Sequence, residues 1–233
     1  MRIEQTAFIQ YRSTAMERES RKISWTLWAG VALLLATLIL PMLLAQLKIR
    51  TSIGAPLEVY GNVANFTLTN QNGRPIELTN LLGRVWVADI IFTRCPGPCL
   101  KMSRQMKDLE MALAPRSDSR LVTLTTDPDY DTAPVLKAYA QRFDANTSRW
   151  MFLTGSKKEI AKLAVDSLKL TALEKKPEER ESATDLFIHS TIFVLVDRQA
   201  RLRGVFDTTG EGVDPVEVKG KILAGIRRLE RER

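Results

Sequence analysis

The chain has 233 residues, of which 45% are hydrophobic and 26% are charged, a balance that excludes a disordered or low-complexity protein. Its net charge of +7 comes from interspersed charges of both signs, without a basic run interleaved with aromatic residues, so we expect no nucleic-acid partner. Two cysteines are too few for a disulfide scaffold, and with the single histidine they leave three side chains for any sulfur or imidazole site.

An uncharged apolar stretch near the amino terminus, residues 25–47, predicts one transmembrane helix. At a rise of about 1.5 Å per residue it can cross a hydrocarbon core of about 30 Å. The run is too long for a typical signal-peptide core, and no Ala-x-Ala cleavage site follows it. More basic residues precede the stretch than follow it closely, so we expect a cytoplasmic tail at 1–24 and an exported carboxyl-terminal part. This predicts a single-pass protein of a bacterial inner membrane, with a linker at 48–60 and a domain at 61–233 in the periplasm.

The first part of that domain predicts a hairpin, a buried strand and a helix. Alternating apolar residues on both sides of Asn72 and Gly73 indicate the hairpin. A continuous apolar run at 84–92 is typical of a central buried strand. Apolar residues then recur at helical spacing from Leu100 to Leu113, and we interpret this methionine-rich face as core packing rather than as a copper relay.

Strands and helices continue to alternate along the rest of the chain. We predict strands at 120–127 and 150–155, helices at 133–143, 157–168 and 215–230, and a hairpin over 190–207. The polar stretch 169–185 has no clear period and is interpreted as an exposed insertion. The pattern predicts the α/β class, a mixed sheet with helices on both faces and an added amino-terminal hairpin.

Both cysteines lie in the segment "CPGPC", where Cys95 falls in a loop and Cys99 in or near the first turn of the next helix. The helix dipole at that position favours a thiolate. Pro96 and Pro98 restrict the backbone between the cysteines. Three interpretations are open: a structural disulfide, which would close only a small loop; a redox dithiol, although thioredoxin-type motifs have two intervening residues and a later cis-proline; and a clamp for a soft metal.

The single histidine, His189, precedes a late strand where a sheet of this order brings a loop back over the cysteine motif. A lone histidine is most often a surface or core residue. Together, however, two thiolates and one imidazole form a three-coordinate soft site of the kind that selects Cu(I). Zinc normally takes a fourth protein ligand or a water, and the chain has no further Cys or His.

Three segments together resemble the SCO/SenC family of membrane-anchored, thioredoxin-fold copper proteins: "IIFTRCPGPC", "LVTLTTDPDYDTAPVLKAYAQRF" and "HSTIFVLVDRQARLRGVFD". The resemblance implies a thioredoxin-like fold, with copper ligands at Cys95, Cys99 and His189. It implies a metallochaperone that delivers copper to the dinuclear copper site of cytochrome c oxidase. The alternative role is a thiol-disulfide oxidoreductase that uses Cys95 and Cys99 to keep partner cysteines reduced, so enzymatic activity stays open. Copper is expected as Cu(I), with Cu(II) as the other candidate state.

The resemblance also sets expectations for partners and for the surroundings of the cysteines. The expected partner is the copper-bearing oxidase subunit, with other periplasmic copper chaperones or thiol reductants as further candidates. The family usually has an acidic residue in the middle of the cysteine loop, where this chain has Gly97. Asp127, Asp129 and Asp131 are expected near the loop, and we interpret them as helix-capping and turn residues rather than as partner contacts.

Overall fold

A computed structural model of the chain describes residues 25, 28–44, 56–180, 186–210 and 212–232. The chain divides into two compact units, Met1–Pro56 and Leu57–Arg233. In the first unit, residues 28–44 form helix α1. The predicted anchor at 25–47 extends beyond the described residues, and the predicted tail at 1–24 lies outside them. Within the described part of the chain, no helix combines the length and the hydropathy needed to span a bilayer.

The second unit is built on a mixed sheet of eight strands in the order β1-β10-β9-β4-β5-β6-β2-β3. These strands are β1 (Gly61–Asn62), β2 (Thr67–Asn70), β3 (Pro75–Glu77), β4 (Trp86–Ile91), β5 (Arg120–Thr125), β6 (Trp150–Thr154), β9 (Ile192–Val196) and β10 (Arg201–Asp207). Two further strands, β7 (Ala172–Glu174) and β8 (Phe187–His189), form a separate two-stranded sheet. The helices are α2 (Pro98–Ala112), α3 (Ala133–Arg142), α4 (Lys157–Ala161), which continues as a π-helical turn at Lys162–Ser167, and α5 (Pro215–Leu229).

The core has two layers because helices cover both faces of the sheet. Every residue of β4 is buried, and its side chains alternate between the layers. Val87 and Ile91 pack with α2, α3 and α5, whereas Ala88 and Ile90 pack on the α4 side. Such two-sided burial explains why β4 is a continuous apolar run rather than an alternating one. The predicted mixed α/β sheet with helices on both faces is confirmed.

The sheet topology brings three chain segments to one edge. Strands β4 and β5 run parallel, with Ile91 opposite Thr125, so the loops that follow them leave the sheet side by side. Strand β9 runs antiparallel to β4, with Val194 opposite Ala88, so β9 begins where β4 ends. Residues before β9 in sequence therefore approach the loop after β4. We call this edge the carboxyl edge of β4.

The predicted strands and helices of the second unit agree with the structure except in the segment between α4 and β9. The turn at Asn72 and Gly73 is confirmed, and Gly73 has the positive φ of 75° that favours glycine. The stretch 169–185, interpreted as an exposed insertion, is largely exposed where the structure describes it, but it contains the unpredicted strand β7, which pairs with β8. A strand of this length carries too few residues for a periodic signal, and its partner is distant in sequence.

A buried ion-pair network closes the end of the sheet away from that edge. The Arg203 side chain is only 2% exposed and contacts Asp197 at 2.6 Å and Glu232 at 2.9 Å. The same guanidinium donates hydrogen bonds to the Leu57 carbonyl at 3.1 and 2.9 Å. Arg203 therefore joins the start of the unit, the β9–β10 turn and the end of the chain.

We predict that Arg203→Ala lowers the free energy of unfolding by about 3 kcal/mol, because it leaves buried acceptors without their charged donor. Arg201 contacts the same Asp197 at 2.8 Å, but its side chain is 38% exposed. Arg201→Ala is thus the matched control, with an expected loss of at most about 1 kcal/mol. Urea denaturation followed by circular dichroism measures both variants, and equal losses would contradict the role assigned to Arg203.

Candidate metal centre

The two cysteines lie between β4 and α2, at the carboxyl edge of β4. Strand β4 ends at Ile91 and α2 begins at Pro98, so Cys95 is in the connecting loop and Cys99 in the first turn of the helix. Cys95 is 6% exposed and Cys99 is fully buried, and both belong to the core beneath α2. Pro96, Gly97 and Pro98 between them are exposed. The backbone of the loop therefore faces the surface while both sulfur atoms face inward.

The sulfur atoms meet, as the spacing of the motif predicts. Both residues are thiols, and their side chains are hydrogen-bonded to one another. Burial raises the pKa of the Cys99 thiol far above its usual value, and the adjacent Cys95 and the charge of Asp89 act in the same direction. A hydrogen bond with the Phe92 backbone lowers this pKa, but only in part. The expectation that the helix dipole favours a thiolate at Cys99 was wrong, because desolvation outweighs it.

Asp131 fixes the start of the cysteine loop from the loop that follows β5. Its fully buried carboxylate accepts hydrogen bonds from the Thr93 backbone N–H at 3.0 Å, from the Thr93 hydroxyl, and from the Thr125 hydroxyl at 2.5 Å. Burial raises the pKa of Asp131, and these hydrogen bonds act in the opposite direction. The three aspartates were expected to cap a helix or form a turn: the capping part was wrong, since α3 starts after Thr132 without a side-chain cap, whereas the turn is confirmed by backbone hydrogen bonds from Tyr130 and Asp131 to the Asp127 carbonyl. The carboxylate instead ties two neighbouring loops together.

Arg94, the residue before Cys95, is held by the same neighbouring loop. Its Nη2 atom contacts Asp127 Oδ2 at 2.5 Å, and its guanidinium carbon lies 4.0 Å from the centre of the Tyr130 ring. Asp127 is 5% exposed, whereas the Arg94 side chain is 40% exposed. The pair and the ring contact leave one side of the cation accessible beside Cys95.

His189 is the last residue of β8, where its backbone pairs with Ala172; its side chain lies outside the description. The strand itself is placed by Phe187, whose ring centroid lies 5.2 Å from that of Phe92. Phe92 immediately precedes the cysteine loop. The structure thus brings Cys95 and Cys99 together and places the strand of His189 beside them. Among the side chains that it describes, no group of three or more His, Cys, Asp or Glu residues could hold a metal ion.

An ion chain also fastens the β7–β8 hairpin to the domain. Lys157 Nζ lies 2.8 Å from Asp129 and 3.5 Å from Glu174, the residue paired with Phe187 in the hairpin. The hydrogen bond to Asp129 raises the pKa of Lys157. A cavity of about 120 Å³ beneath the hairpin is lined by these lysine and glutamate residues, Phe187 and Thr126. The hairpin is therefore held by exposed ion pairs together with the packing of Leu186 and Phe187 against the core.

Sequence reasoning identified the cysteines and the strand of the histidine but missed the residues that hold them. Arg94, Phe187 and Lys157 were not predicted to act at the site. A signal existed for Arg94 alone, as a cation next to Cys95 with three aspartates expected nearby. Phe187 and Lys157 belong to no sequence motif and are distant in sequence from the cysteines. Their contacts at the site arise only from the tertiary fold.

The comparisons with known proteins agree with this architecture. A model of the SCO1/SenC family matches residues 57–223. The SCO1 protein homolog of Bacillus subtilis (strain 168) is 40% identical over 136 residues, which are 58% of this chain and 67% of that protein. The structure of BsSco, described as a disulfide-switch member of the Sco family of cytochrome c oxidase assembly proteins, is 29% identical. It has a TM-score of 0.63 and the alignment covers 77% of this chain and 100% of BsSco.

The structure of Bradyrhizobium japonicum ScoI with copper bound is 23% identical with a TM-score of 0.58, over 70% of this chain and 99% of ScoI. That likeness concerns the fold. The region matched by the family model contains the whole eight-stranded sheet, the cysteine loop and β8, and it exceeds half of the chain. The thioredoxin-like fold implied by the resemblance is confirmed, and the chain belongs to the SCO1/SenC family.

Proposed function

We propose that the protein is a copper metallochaperone that binds copper through Cys95, Cys99 and His189 and transfers it to the dinuclear copper site of cytochrome c oxidase. The observation that carries the proposal is the hydrogen-bonded pair of thiols beneath a loop that contacts the strand of His189. Thiolates and imidazole are the ligands that Cu(I) prefers. The family's copper-bound member ScoI and the oxidase-assembly description of BsSco support the same role.

The raised pKa of Cys99 suits a carrier that must hold its thiols ready without reacting. In the absence of metal the raised pKa keeps Cys99 protonated, so this thiol is a poor nucleophile. Copper competes with protons for the sulfur atoms, so copper binding releases the thiol protons. Three protein ligands leave one side of the ion open, where a thiolate of the recipient can attack and replace the carrier's ligands in turn.

The imidazole is the ligand best suited to leave first. A neutral imidazole is a weaker Cu(I) ligand than a thiolate, and His189 is on a strand of a separate two-stranded sheet. Isolated two-stranded hairpins are marginally stable, so small movements of β7–β8 have a low cost. The ion chain through Lys157 links β7 to the loop after β5, and Phe187 packs on Phe92 from β8.

The second candidate function is a thiol-disulfide oxidoreductase that uses the same two cysteines. Direct contact of the thiols favours it, since little movement is needed to join them. The disulfide switch described for BsSco supports it as well. A disulfide between Cys95 and Cys99 would block copper loading, so the two functions exclude one another at any moment.

We also propose that the stretch 25–47 anchors the protein in the inner membrane and that the domain at 61–233 lies in the periplasm. The apolar stretch 25–47 and the basic residues before it support a single anchor with the amino terminus in the cytoplasm. The soluble unit would then meet the copper-bearing oxidase subunit at the membrane surface. Periplasmic copper chaperones or thiol reductants would supply copper or electrons to the same loop.

His189→Ala tests the copper assignment. We expect copper affinity of the reduced full-length protein to fall by about 100-fold, because a ligand is lost, while reduction of a peptide disulfide changes little. Anaerobic competition with a chromophoric Cu(I) chelator measures the affinity. Ile188→Ala is the matched control, because Ile188 is the neighbouring residue of β8 and is 49% exposed. Unchanged copper affinity in His189→Ala would remove His189 from the site.

The buried thiol predicts an alkaline loss of stability. Because the folded pKa of Cys99 exceeds its value of 9.0 in the unfolded chain, its contribution is fully present below pH 9 and is lost as the pH rises further. Relative to Cys99→Ala, the reduced protein should lose about 1.4 kcal/mol of unfolding free energy per pH unit above that value. Urea denaturation under reducing conditions between pH 8 and pH 10.5 measures the slopes. Equal slopes of unfolding free energy against pH in the wild type and in Cys99→Ala would show that Cys99 ionises as readily in the folded protein as in the unfolded chain.

A further inference from the structure

The cysteine loop and the first turns of α2 carry more cations than carboxylates. From Phe92 to Asp108 the chain has four cations and one carboxylate, the exposed Asp108. Lys107 is paired with Glu110 at 2.8 Å, and Arg94 with Asp127 at 2.5 Å. No ion pair to Lys101 or Arg104 occurs within the part of the chain that the structure describes. We call Lys101 and Arg104 the cationic flank.

Helix geometry places the flank on the exposed face of α2, next to the surface of the cysteine loop. Side chains of an α-helix lean toward its amino terminus, so Lys101 covers the turn that contains Gly97, four residues earlier. Arg104, three residues after Lys101, lies on the same exposed face. A side chain at Gly97 would meet nothing within 4 Å, so the space above the loop is open to the lysine and to a partner.

Asp108, four residues after Arg104, shares the exposed face of α2 and offsets part of the charge of the flank, whereas the carboxylates in the loop after β5 are engaged elsewhere. In the loop after β5, Asp127 is paired with Arg94, and Asp129 is paired with Lys157 at 2.8 Å. Asp131 is buried among hydroxyl and amide donors. The amino terminus of α2 lacks a side-chain cap and any acidic residue in its first turn, so the helix dipole adds positive potential.

A molecule that exchanges copper or electrons with buried thiols must cover this surface. Cys95 is 6% exposed and Cys99 is fully buried, so contact requires close approach over the loop. We propose that the cationic flank is the docking surface for an acidic protein partner, one that presents carboxylates next to its own thiols. This rests on the proposed function, because the thiols of that partner are the ones that exchange copper or electrons with Cys95 and Cys99.

An anionic membrane is a less suitable occupant. Binding to acidic lipids normally uses clusters of about four to eight basic residues, whereas the flank consists of Lys101 and Arg104 alone. Lipid headgroups also have no thiol to bring to the buried pair. A protein partner uses both features of the site, the charge outside and the sulfur atoms inside.

The test uses full-length reduced protein in a nonionic detergent and two synthetic peptides with the same internal disulfide. One peptide has aspartates beside its cysteines and the other has lysines. In the exchange a protein thiolate attacks a peptide sulfur and forms a mixed disulfide, and the second protein cysteine then releases the peptide. The protein dithiol is oxidised and the peptide disulfide becomes a dithiol. No copper is present, so failure of the copper assignment leaves this test intact.

We expect the acidic peptide to react about 10-fold faster than the basic one at low ionic strength, and the ratio to approach one at high salt. Lys101→Glu with Arg104→Glu should invert the ratio. Lys158→Glu with Lys162→Glu, which changes the same total charge on the α4 side of the sheet, should leave it unchanged. Gly97→Asp should reduce the ratio, because it places a carboxylate four residues before Lys101.

A second measurement decides the matter if exchange is too slow to follow. The thiols are alkylated with anionic iodoacetate and, separately, with neutral iodoacetamide. The ratio of the iodoacetate rate to the iodoacetamide rate should be higher in the wild type than in the Lys101→Glu, Arg104→Glu variant. Equal peptide rates in the wild type, or equal effects of the two double variants, would overturn the proposal. The proposal would also be overturned if the Lys101→Glu, Arg104→Glu variant lost binding to phosphatidylglycerol vesicles while the peptide ratio and the alkylation ratio stayed unchanged. The flank would then bind a membrane.

Discussion

The buried carboxylate of Asp131 is the interaction on which the site depends. It joins Thr93, two residues before Cys95, to Thr125, the last residue of β5. The Arg94–Asp127 ion pair adds a second link between the same two loops, one residue closer to Cys95. The Asp131 carboxylate can serve both loops because β4 and β5 are parallel neighbours whose ends coincide, with Ile91 opposite Thr125. Sheet topology therefore comes first, and the loop geometry follows from it.

From that anchor the two sides of the site differ in rigidity. On one side, the loop after β5 holds Arg94 through Asp127 and Tyr130, and α2 carries Cys99 into the core. On the other side, Leu186 and Phe187 pack against the core, and the ion pairs of the β7–β8 hairpin are exposed and contribute little at physiological ionic strength. In the proposed function, Cys95 and Cys99 are ligands set in the core and His189 is a ligand on a two-stranded hairpin, an arrangement suited to binding an ion and releasing it again.

Much of this could be predicted from the sequence, for identifiable reasons. The apolar run of β4 and the helical period of α2 bracket the cysteines, so the strand–loop–helix setting was clear. The hairpin strand β7 could not be predicted, because its three residues gain their structure only by pairing with β8. The protonation of Cys99 was also missed, since a motif shows the favourable helix terminus but not the depth of burial that opposes it. The aspartates were expected at the right place, yet their partners are visible only in three dimensions.

The central claim is that one copper ion is held by both cysteines and the histidine. X-ray absorption of the full-length protein, loaded anaerobically with one equivalent of copper, counts the atoms that surround the metal. The account predicts two sulfur neighbours and one nitrogen neighbour, with the nitrogen absent in His189→Ala. A first shell of sulfur alone in the wild type, or copper that remains bound when both cysteines are replaced, would contradict it.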